Sequence, residues 1–317
     1  MLVVNSAYAG SGLPLQPVGN GGLSKVVDTM NMLTKDMTMS KMPTRTPILI
    51  TGCQRSGTTL MNLILDSHPA IWGIDEDKFV FPSIYSYLAA PLPQAPPFVS
   101  FKLPPYAHIL PFMEMLPGCR LLWCVRDPVD VVWSMVKFGS ESGGTIPWAA
   151  HPAGGWGEIN NAYWVLDDER KRELGDYMAE FAILTKKFVR LANEPARSMK
   201  IERRDSVFIG ALCWRIKNEL PDLYKDRKID FHVIRYADLV RQPQEHIADA
   251  LDYIGVDWDD QVLMHHRLHK GTSIGNTSNT RPIDQNSLGS GRKNLSEEEQ
   301  ALIKSICGKT ARRWSYN

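Results

Sequence analysis

The chain has 317 residues, of which 44% are hydrophobic and 22% charged, and these ordinary globular values exclude disorder as the main state. The length allows one large domain or two small ones. The 36 Lys and Arg residues nearly balance the 35 Asp and Glu residues, which leaves a net charge of +1. This balance argues against a broad surface for nucleic acid or anionic membrane and leaves a local basic site open.

Cysteine usage and hydropathy point to the cellular compartment. The five cysteines are odd in number and sparse, which is typical of a reducing compartment and not of a disulfide framework. No stretch approaches the roughly 18 consecutive apolar residues of a membrane helix, and the first residues carry no basic segment of a secretory signal. We therefore expect a cytoplasmic protein without a membrane span.

The chain divides by composition near residue 45. Residues 1–45 are rich in Gly and Pro at first and then in Met, which predicts a partly flexible arm that either packs as an amphipathic helix or moves freely. Residues 46–317 are predicted to form a single domain. Within it, the Gly-rich segment 139–157 contains Trp148 and Trp156, and we interpret it as a candidate lid over the acceptor.

Strand and helix patterns alternate through this domain. A buried strand is predicted at 47–51, followed by a helix over 58–68 that Pro69 stops. Further elements follow in chain order: a strand at 120–125, a helix with Asp127 as N-cap, a largely helical region at 158–225, a strand at 230–236, and helices at 243–255 and 295–310. This order predicts an α/β fold of the P-loop type, in which a central parallel sheet lies between two layers of helices.

The turn after the first strand has the composition of a phosphate-binding loop. Gly52 and Gly57 frame four residues, and Thr58 opens the following helix, so backbone N–H groups and the positive helix end converge on one spot. The spacing is that of a Walker A loop, but Thr58 stands where an ATPase carries lysine. Arg55 within the turn supplies a cation instead.

The second strand ends in a cation where a nucleotide hydrolase would carry a magnesium-binding aspartate. Arg126 follows the strand, Asp127 is assigned to helix capping, and a small hydroxyl, Ser134, comes eight residues after Arg126. A cation there disfavours Mg²⁺ and favours a second phosphate group. The sequence therefore predicts a nucleotide-type site with no metal ligands.

Four segments together resemble the sulfotransferases that use 3′-phosphoadenosine-5′-phosphosulfate (PAPS), and most of all their tyrosylprotein subgroup. These segments are RSGTTLMNLILDSHP at 55–69, Lys-x-Pro at 102–104, RDPVDVVWS at 126–134 and RYADL at 235–239. The resemblance extends over about residues 45–317 and is weaker in the second half. It implies PAPS as the sulfuryl donor.

The resemblance also assigns residues to the donor. Arg126 and Ser134 would hold its 3′-phosphate, and Tyr236 would lie near the nucleotide. A later donor loop falls at 277–293, where either Arg292 or Lys293 supplies the cation, and we take Arg292. The 5′-phosphosulfate would be held by the loop residues Arg55, Ser56, Gly57, Thr58 and Thr59.

For catalysis the resemblance implies a carboxylate base and two cations. Counted from Pro69, the base is Glu76, while Lys102 and Arg55 would stabilise the charge of the transition state. His108 is the competing base, because cytosolic relatives use histidine. A serine contact to the donor falls on Ser273 or Ser278, and spacing does not choose between them.

The resulting prediction is an enzyme that moves a sulfuryl group from PAPS to a hydroxyl of a metabolite, a glycan or a peptide tyrosine. Two alternatives stay open: a P-loop kinase or NTPase, and a non-catalytic member that binds nucleotide. We expect no nucleic acid partner and leave a homodimer open.

Overall fold

The computed structural model describes residues 45–76, 78, 84–89, 96–110, 116, 118–141, 155–192, 201–273 and 277–316. All of them lie in one unit that spans Met42–Asn317. The predicted arm, and most of the Gly-rich segment with Trp148, lie outside the described residues, so the division at residue 45 and the lid stay predictions.

Five parallel strands form the central sheet, in the order β2-β3-β1-β4-β5. The neighbours of β1 are β3 on one side and β4 on the other, so the loop after β1 lies between the ends of both strands. A separate two-stranded antiparallel ribbon is formed by β6 and β7. The strands are β1 Thr46–Gly52, β2 Ile71–Ile74, β3 Phe98–Lys102, β4 Arg120–Val125, β5 His232–Arg235, β6 Thr272–Ser273 and β7 Thr277–Ser278.

Helices follow most of the strands, as expected for parallel pairs joined by crossover connections. Short 3₁₀ turns occur at Pro104–Tyr106 and Asp260–Met264. The helices are α1 Thr58–Asp66, α2 Ile84–Ala89, α3 Pro128–Glu141, α4 Gly155–Val165, α5 Asp168–Glu173, α6 Gly175–Ala192, α7 Arg203–Lys217, α8 Leu220–Asp226, α9 Tyr236–Arg241, α10 Pro243–Ile254, α11 His265–Leu268, α12 Ser290–Asn294 and α13 Glu297–Arg313.

Alternation along the strands divides the core between the two faces of the sheet. On one face, Ile48 and Ile50 of β1 pack with Met61 of α1 and Ile247 of α10 in one buried cluster. On the other face, the ring of Trp123 in β4 meets the ring of Tyr224 in α8 edge to face, with centroids 5.6 Å apart. Helix α7 is buried along nearly its whole length and packs against α3, α4 and α13.

The predicted fold class is confirmed: a parallel sheet is flanked by helices in an α/β fold. The predicted strands at 47–51, 120–125 and 230–236 occur as β1, β4 and β5. Two strands of the central sheet are not predicted from the sequence, because β2 is only four residues long and β3 ends inside the Lys-x-Pro segment. The two-residue strands β6 and β7 are not predicted either.

Several local predictions follow the expected chemistry. Asp127 caps α3 by accepting from the N–H of Val129 at 2.8 Å, and Pro128 is the first helical residue. Ser296 and Glu299 form the predicted capping box of α13.

The five cysteines are free thiols. Within the described part of the chain, no helix is both long and apolar enough to cross a membrane.

Candidate active site

The loop between β1 and α1 forms a tight turn around its own backbone. The N–H of Ser56 donates to the carbonyl of Cys53 at 3.2 Å, and Gly57 is the left-handed N-cap of α1 with φ 96°. Arg55 also has a positive φ, 67°, which is uncommon outside glycine and costs free energy. Because the first N–H groups of a helix have no intrahelical partner, this turn presents donors to an anion.

A cavity of about 260 Å³ opens beside this loop. It lies at the carboxyl ends of β1 and β4, where ligands bind in open α/β sheets. Its walls come from the loop and α1, from Arg126 after β4, from the middle of α3, from α9 and from the 278–287 segment. The lining residues are Arg55, Gly57, Thr58, Thr59, Leu60, Leu63, Arg126, Ser134, Tyr236, Ser278, Arg281, Pro282, Asp284 and Ser287.

Arg55 and Ser134, which the motifs assigned to opposite phosphates of the donor, are in direct contact. The Nε of Arg55 donates to the Oγ of Ser134 at 2.8 Å. The guanidinium carbon of Arg55 also lies 5.5 Å from the centre of the Phe138 ring, at cation–π distance. Helix α3 therefore orients the loop cation toward the cavity wall.

Arg126 is held by contacts from four different segments. Its guanidinium donates to the carbonyls of Arg55 at 3.3 Å and of Ser287 at 2.6 Å. It stacks over the ring of Tyr236 at 4.4 Å and lies 3.7 Å from a carboxylate oxygen of Asp130. Its Nε is buried and makes no hydrogen bond with any described residue. A preorganised cation with an unused donor suits a phosphate ligand.

Asp130 fastens the 287–291 segment to the start of α3. Its carboxylate accepts from the N–H of Gly289 at 2.9 Å and of Gly291 at 2.8 Å. The backbone of Gly291 lies so close to the backbone of α3 that a Cβ at Gly291 would be 2.2 Å from the carbonyl oxygen of Val129. Since Ser287 accepts from Arg126, Asp130 also fixes one of the supports of that guanidinium.

A buried cluster of charges lies beyond Thr59, outside the cavity lining. Strands β2 and β3 are parallel neighbours, so the residues that end them meet at one edge of the sheet. The Nζ of Lys102 lies 2.6 Å from a carboxylate oxygen of Asp75 and 3.4 Å from one of Glu76. It also donates to the Oγ1 of Thr59 at 3.2 Å, which joins this cluster to the cavity.

Glu76 has the properties of a proton acceptor. Burial raises the pKa of its carboxyl above the ordinary 4.5, and the charge of Lys102 opposes that rise. Its second oxygen, Oε2, is buried and makes no hydrogen bond with the described residues. A buried carboxylate with a raised pKa and one unused oxygen is suited to take a proton from a hydroxyl.

The competing base His108 is poorly suited to that task. Burial, and secondarily the charge of Lys217, lower the pKa of its imidazole to about 3. So weak a base holds an abstracted proton poorly at neutral pH. His68 has a structural role, because its Nδ1 accepts from the N–H of Ala70 at 3.0 Å and its Nε2 lies 2.9 Å from the carbonyl of Asp257.

The structure brings most of the predicted donor residues together. Arg55, Gly57, Thr58, Thr59, Arg126, Ser134 and Tyr236 all line the cavity. Ser56 is buried in the turn, and its hydroxyl has no partner among the described residues.

Arg292 is not brought to the cavity lining. Its side chain is mostly exposed and donates to Asp127 at 3.1 Å, whereas Arg281 of the same donor loop lines the cavity. Of the two candidate serines, Ser278 lies in the lining, and Ser273 pairs with Thr277 in the β6–β7 ribbon. The role of Arg292 stays a prediction.

Sequence reasoning missed a buried ion pair behind the loop. Lys217 ends α7 and pairs with Glu158 in the first turn of α4. The Nζ of Lys217 also donates to the Oε1 of Gln54 at 2.7 Å and to the carbonyl of Pro104 at 2.8 Å. The only signal was a lysine at the end of a long apolar helix, and nothing linked it to a glutamate 59 residues away.

Two histidines that precede the β6–β7 ribbon make structural contacts with backbone carbonyls. The Nε2 of His265 lies 3.0 Å from the carbonyl of Arg281, and the Nε2 of His269 lies 3.1 Å from the carbonyl of Leu63. Among the residues that the structure describes, no group of three or more His, Cys, Asp or Glu side chains could hold a metal ion.

Comparisons with known proteins gave a family match for part of the chain and similar folds for most of it. The model of a sulfotransferase family matches residues 47–96, which contain the loop, Glu76 and the helix between them. The comparison with curated proteins gave no significant match.

Two solved structures have the same fold. The sulfotransferase domain of the olefin synthase from Synechococcus PCC 7002 is 16% identical, with a TM-score of 0.53 over 88% of this chain and 98% of that domain. The sulfotransferase domain from the curacin biosynthetic pathway is also 16% identical, with a TM-score of 0.51 over 88% and 99%. The chain thus has the fold of these sulfotransferase domains, and residues 47–96 match the sulfotransferase family, as the motifs predict. The tyrosylprotein subgroup and the use of PAPS stay predictions.

Proposed function

We propose that the protein transfers the sulfuryl group of PAPS to a hydroxyl group of an acceptor. The observation that carries the proposal is the contact between the Nζ of Lys102 and the hydroxyl of Thr59. Through it, an anion-binding cavity with Arg55 and Arg126 adjoins a buried cation–carboxylate pair, Lys102 and Glu76. Sulfuryl transfer needs both parts side by side.

The cavity suits a nucleotide with phosphate groups at two positions. The loop N–H groups and Arg55 would bind the 5′-phosphosulfate. Arg126, stacked on Tyr236 and with its Nε still available, would bind the 3′-phosphate together with Ser134. Two separate cation sites favour PAPS over a nucleotide that carries phosphates at the 5′ position alone.

The transfer step is an in-line displacement at sulfur. Oε2 of Glu76 takes the proton of the acceptor hydroxyl, whose oxygen forms the new S–O bond. The bond from sulfur to the bridging phosphate oxygen breaks, and adenosine 3′,5′-bisphosphate leaves. Lys102 and Arg55 stabilise the negative charge that develops on the bridging and equatorial oxygens. The protein supplies position and charge and forms no covalent intermediate.

Labelled PAPS offered to phenols, sugars, peptides and cell extract tests the proposal directly. We expect label in an acceptor, formation of adenosine 3′,5′-bisphosphate, and loss of both in Glu76→Gln. The acceptor, whether metabolite, glycan or peptide tyrosine, is identified by the class that takes up label. Failure of every acceptor class, with intact binding of the bisphosphate, would contradict the transferase and favour a non-catalytic nucleotide-binding protein.

A P-loop kinase or NTPase is the alternative of a different class. It predicts ATP binding that strengthens with Mg²⁺. Thr58 occupies the position of the Walker lysine, and Arg126 follows β4 where that class carries an aspartate. In calorimetry we expect tight binding of adenosine 3′,5′-bisphosphate without metal and weak binding of ATP, and the reverse order would overturn the assignment.

A further inference from the structure

The ammonium group of Lys217 joins three segments that approach the active site from different directions. It pairs with Glu158 on α4, donates to the side chain of Gln54 in the phosphate-binding loop, and donates to the carbonyl of Pro104. Pro104 lies two residues after Lys102 in the turn that leaves β3. An ammonium has three N–H donors, so these contacts use all of them.

The surroundings of this group are fully enclosed. The side chain of Lys217 is 2% exposed and that of Glu158 is 7% exposed. Cys53, the residue before Gln54, and Cys213, one turn before Lys217, are both completely buried beside the pair. Because Lys217 and Glu158 are almost fully shielded from solvent, water competes little for the contacts of the ammonium group.

Stability alone does not account for this arrangement. Removing two charges from water carries a large free-energy cost, and apolar side chains of similar volume often stabilise a core as well or better. What apolar side chains cannot supply is a set of directed hydrogen bonds from one atom to two separate loops. The loop at Gln54 leads directly into Arg55, and the turn at Pro104 follows Lys102.

We propose that Lys217, held in place by Glu158, is a positioning residue that ties the phosphate-binding loop to the turn after β3 and so sets the position of Lys102 and Glu76 relative to the bound donor. The inference rests on the proposed sulfuryl transfer. Lys217 is not among the residues that line the cavity, and we infer that it acts through its contacts with Gln54 and Pro104.

Two double variants separate this role from a structural one. Lys217→Met with Glu158→Gln removes both charges and all three donors, while Lys217→Gln with Glu158→Gln removes the charges but keeps an amide that can donate. In the first we expect kcat to fall about tenfold or more, the scale of a misplaced catalytic group, with the Kd for adenosine 3′,5′-bisphosphate changed less than about threefold. In the second we expect most of kcat to return.

Hydrogen exchange supplies a readout that needs no activity. In the methionine variant we expect faster amide exchange in peptides covering residues 50–60 and 100–108 and unchanged exchange in α10, with partial reversal in the glutamine variant. If both variants keep the wild-type kcat and exchange, or lose only melting temperature, the positioning role is wrong. If the wild type transfers no sulfuryl group but the variants show the expected exchange pattern, Lys217 does link the two loops and the proposed sulfuryl transfer is wrong.

Discussion

The ring of Tyr236 lies directly against the backbone of Gly57, where an added Cβ would come 2.6 Å from the Cδ2 of the ring. The same ring also contacts Arg126, whose guanidinium carbon is 4.4 Å from the ring centre. The ring is therefore in contact with both the phosphate-binding turn and the cation predicted for the 3′-phosphate. A substitution at Gly57 should therefore disturb both the phosphate-binding turn and the position of Arg126.

Gly57→Ala tests this contact. The new methyl group would displace Tyr236, and the backbone at φ 96° would be strained, which together cost about 1–3 kcal/mol. We expect the affinity for adenosine 3′,5′-bisphosphate to fall about tenfold or more in calorimetry. Gly118→Ala is the matched control: its φ is 72° and a Cβ there would meet no atom within 4 Å, so stability should fall while binding persists.

Arg126→Ala tests the assignment of the 3′-phosphate. A hydrogen bond to a charged group contributes about 1.5–3 kcal/mol, so the affinity for adenosine 3′,5′-bisphosphate should fall about 10- to 100-fold. The affinity for adenosine 5′-monophosphate should change much less. Arg204→Ala, which removes an exposed pair with Glu180 outside the cavity lining, should leave both affinities nearly unchanged. Equal losses for both nucleotides in Arg126→Ala would break the assignment.

Glu76→Gln tests the base. The amide cannot take the acceptor proton, so kcat should fall about 100-fold or more while the bisphosphate still binds. In the wild type, kcat/KM should rise with pH through the raised pKa of Glu76, because the base acts only when ionised. This rise at acidic pH, the acidic limb of the pH profile, should be missing from the residual activity of Glu76→Gln. Full activity in Glu76→Gln would contradict its role as the base and favour His108 instead.

The two neighbours of Glu76 should move that limb in opposite directions. The charge of Lys102 lowers the pKa of Glu76 and the charge of Asp75 raises it. Lys102→Met should therefore shift the acidic limb to higher pH, in addition to lowering kcat, and Asp75→Asn should shift it to lower pH. A pH titration of kcat/KM in both variants checks the signs, and shifts in the same direction would show that Glu76 does not control the limb.

Stability should also depend on pH through a buried histidine outside the reaction. Burial lowers the pKa of His265 from 6.5 to about 4, so its stabilising contribution is complete above pH 6.5 and is lost as the pH falls toward 4. The slope is about 1.4 kcal/mol per pH unit for one such group. Urea unfolding of wild type and His265→Gln at pH 7.5, 6 and 5 should show a smaller loss in the variant.

The sequence specified those parts of the site in which local chain geometry and chemistry coincide. Gly52, Gly57 and Thr58 describe a turn that any such strand–turn–helix segment forms, so the loop was predictable from spacing. Arg126 after a buried strand and the cap at Asp127 were predictable for the same reason, since each depends on residues within a few positions of it.

Contacts between segments that are distant in the chain could not be predicted from local sequence patterns. Asp130 binds Gly289 and Gly291 across about 160 residues, and no local pattern marks that pairing. Arg281 and Arg292 belong to the same predicted donor loop, 277–293, and the sequence analysis takes Arg292 as its cation. Only the packing of that loop on α3 places the first in the cavity lining and leaves the second paired at the surface.

The sequence by itself determined the class of site, because a phosphate-binding turn and a cation after β4 depend on short-range geometry and on residue type. The tertiary structure alone decided which carboxylate meets which cation. Lys102, Asp75 and Glu76 converge because β2 and β3 are parallel neighbours, and Lys217 reaches Gln54, Pro104 and Glu158 because α7 and α4 pack behind the loop. The net charge of +1 is a total over the whole chain, so it could not indicate that Lys102, Asp75 and Lys217 are buried in the interior.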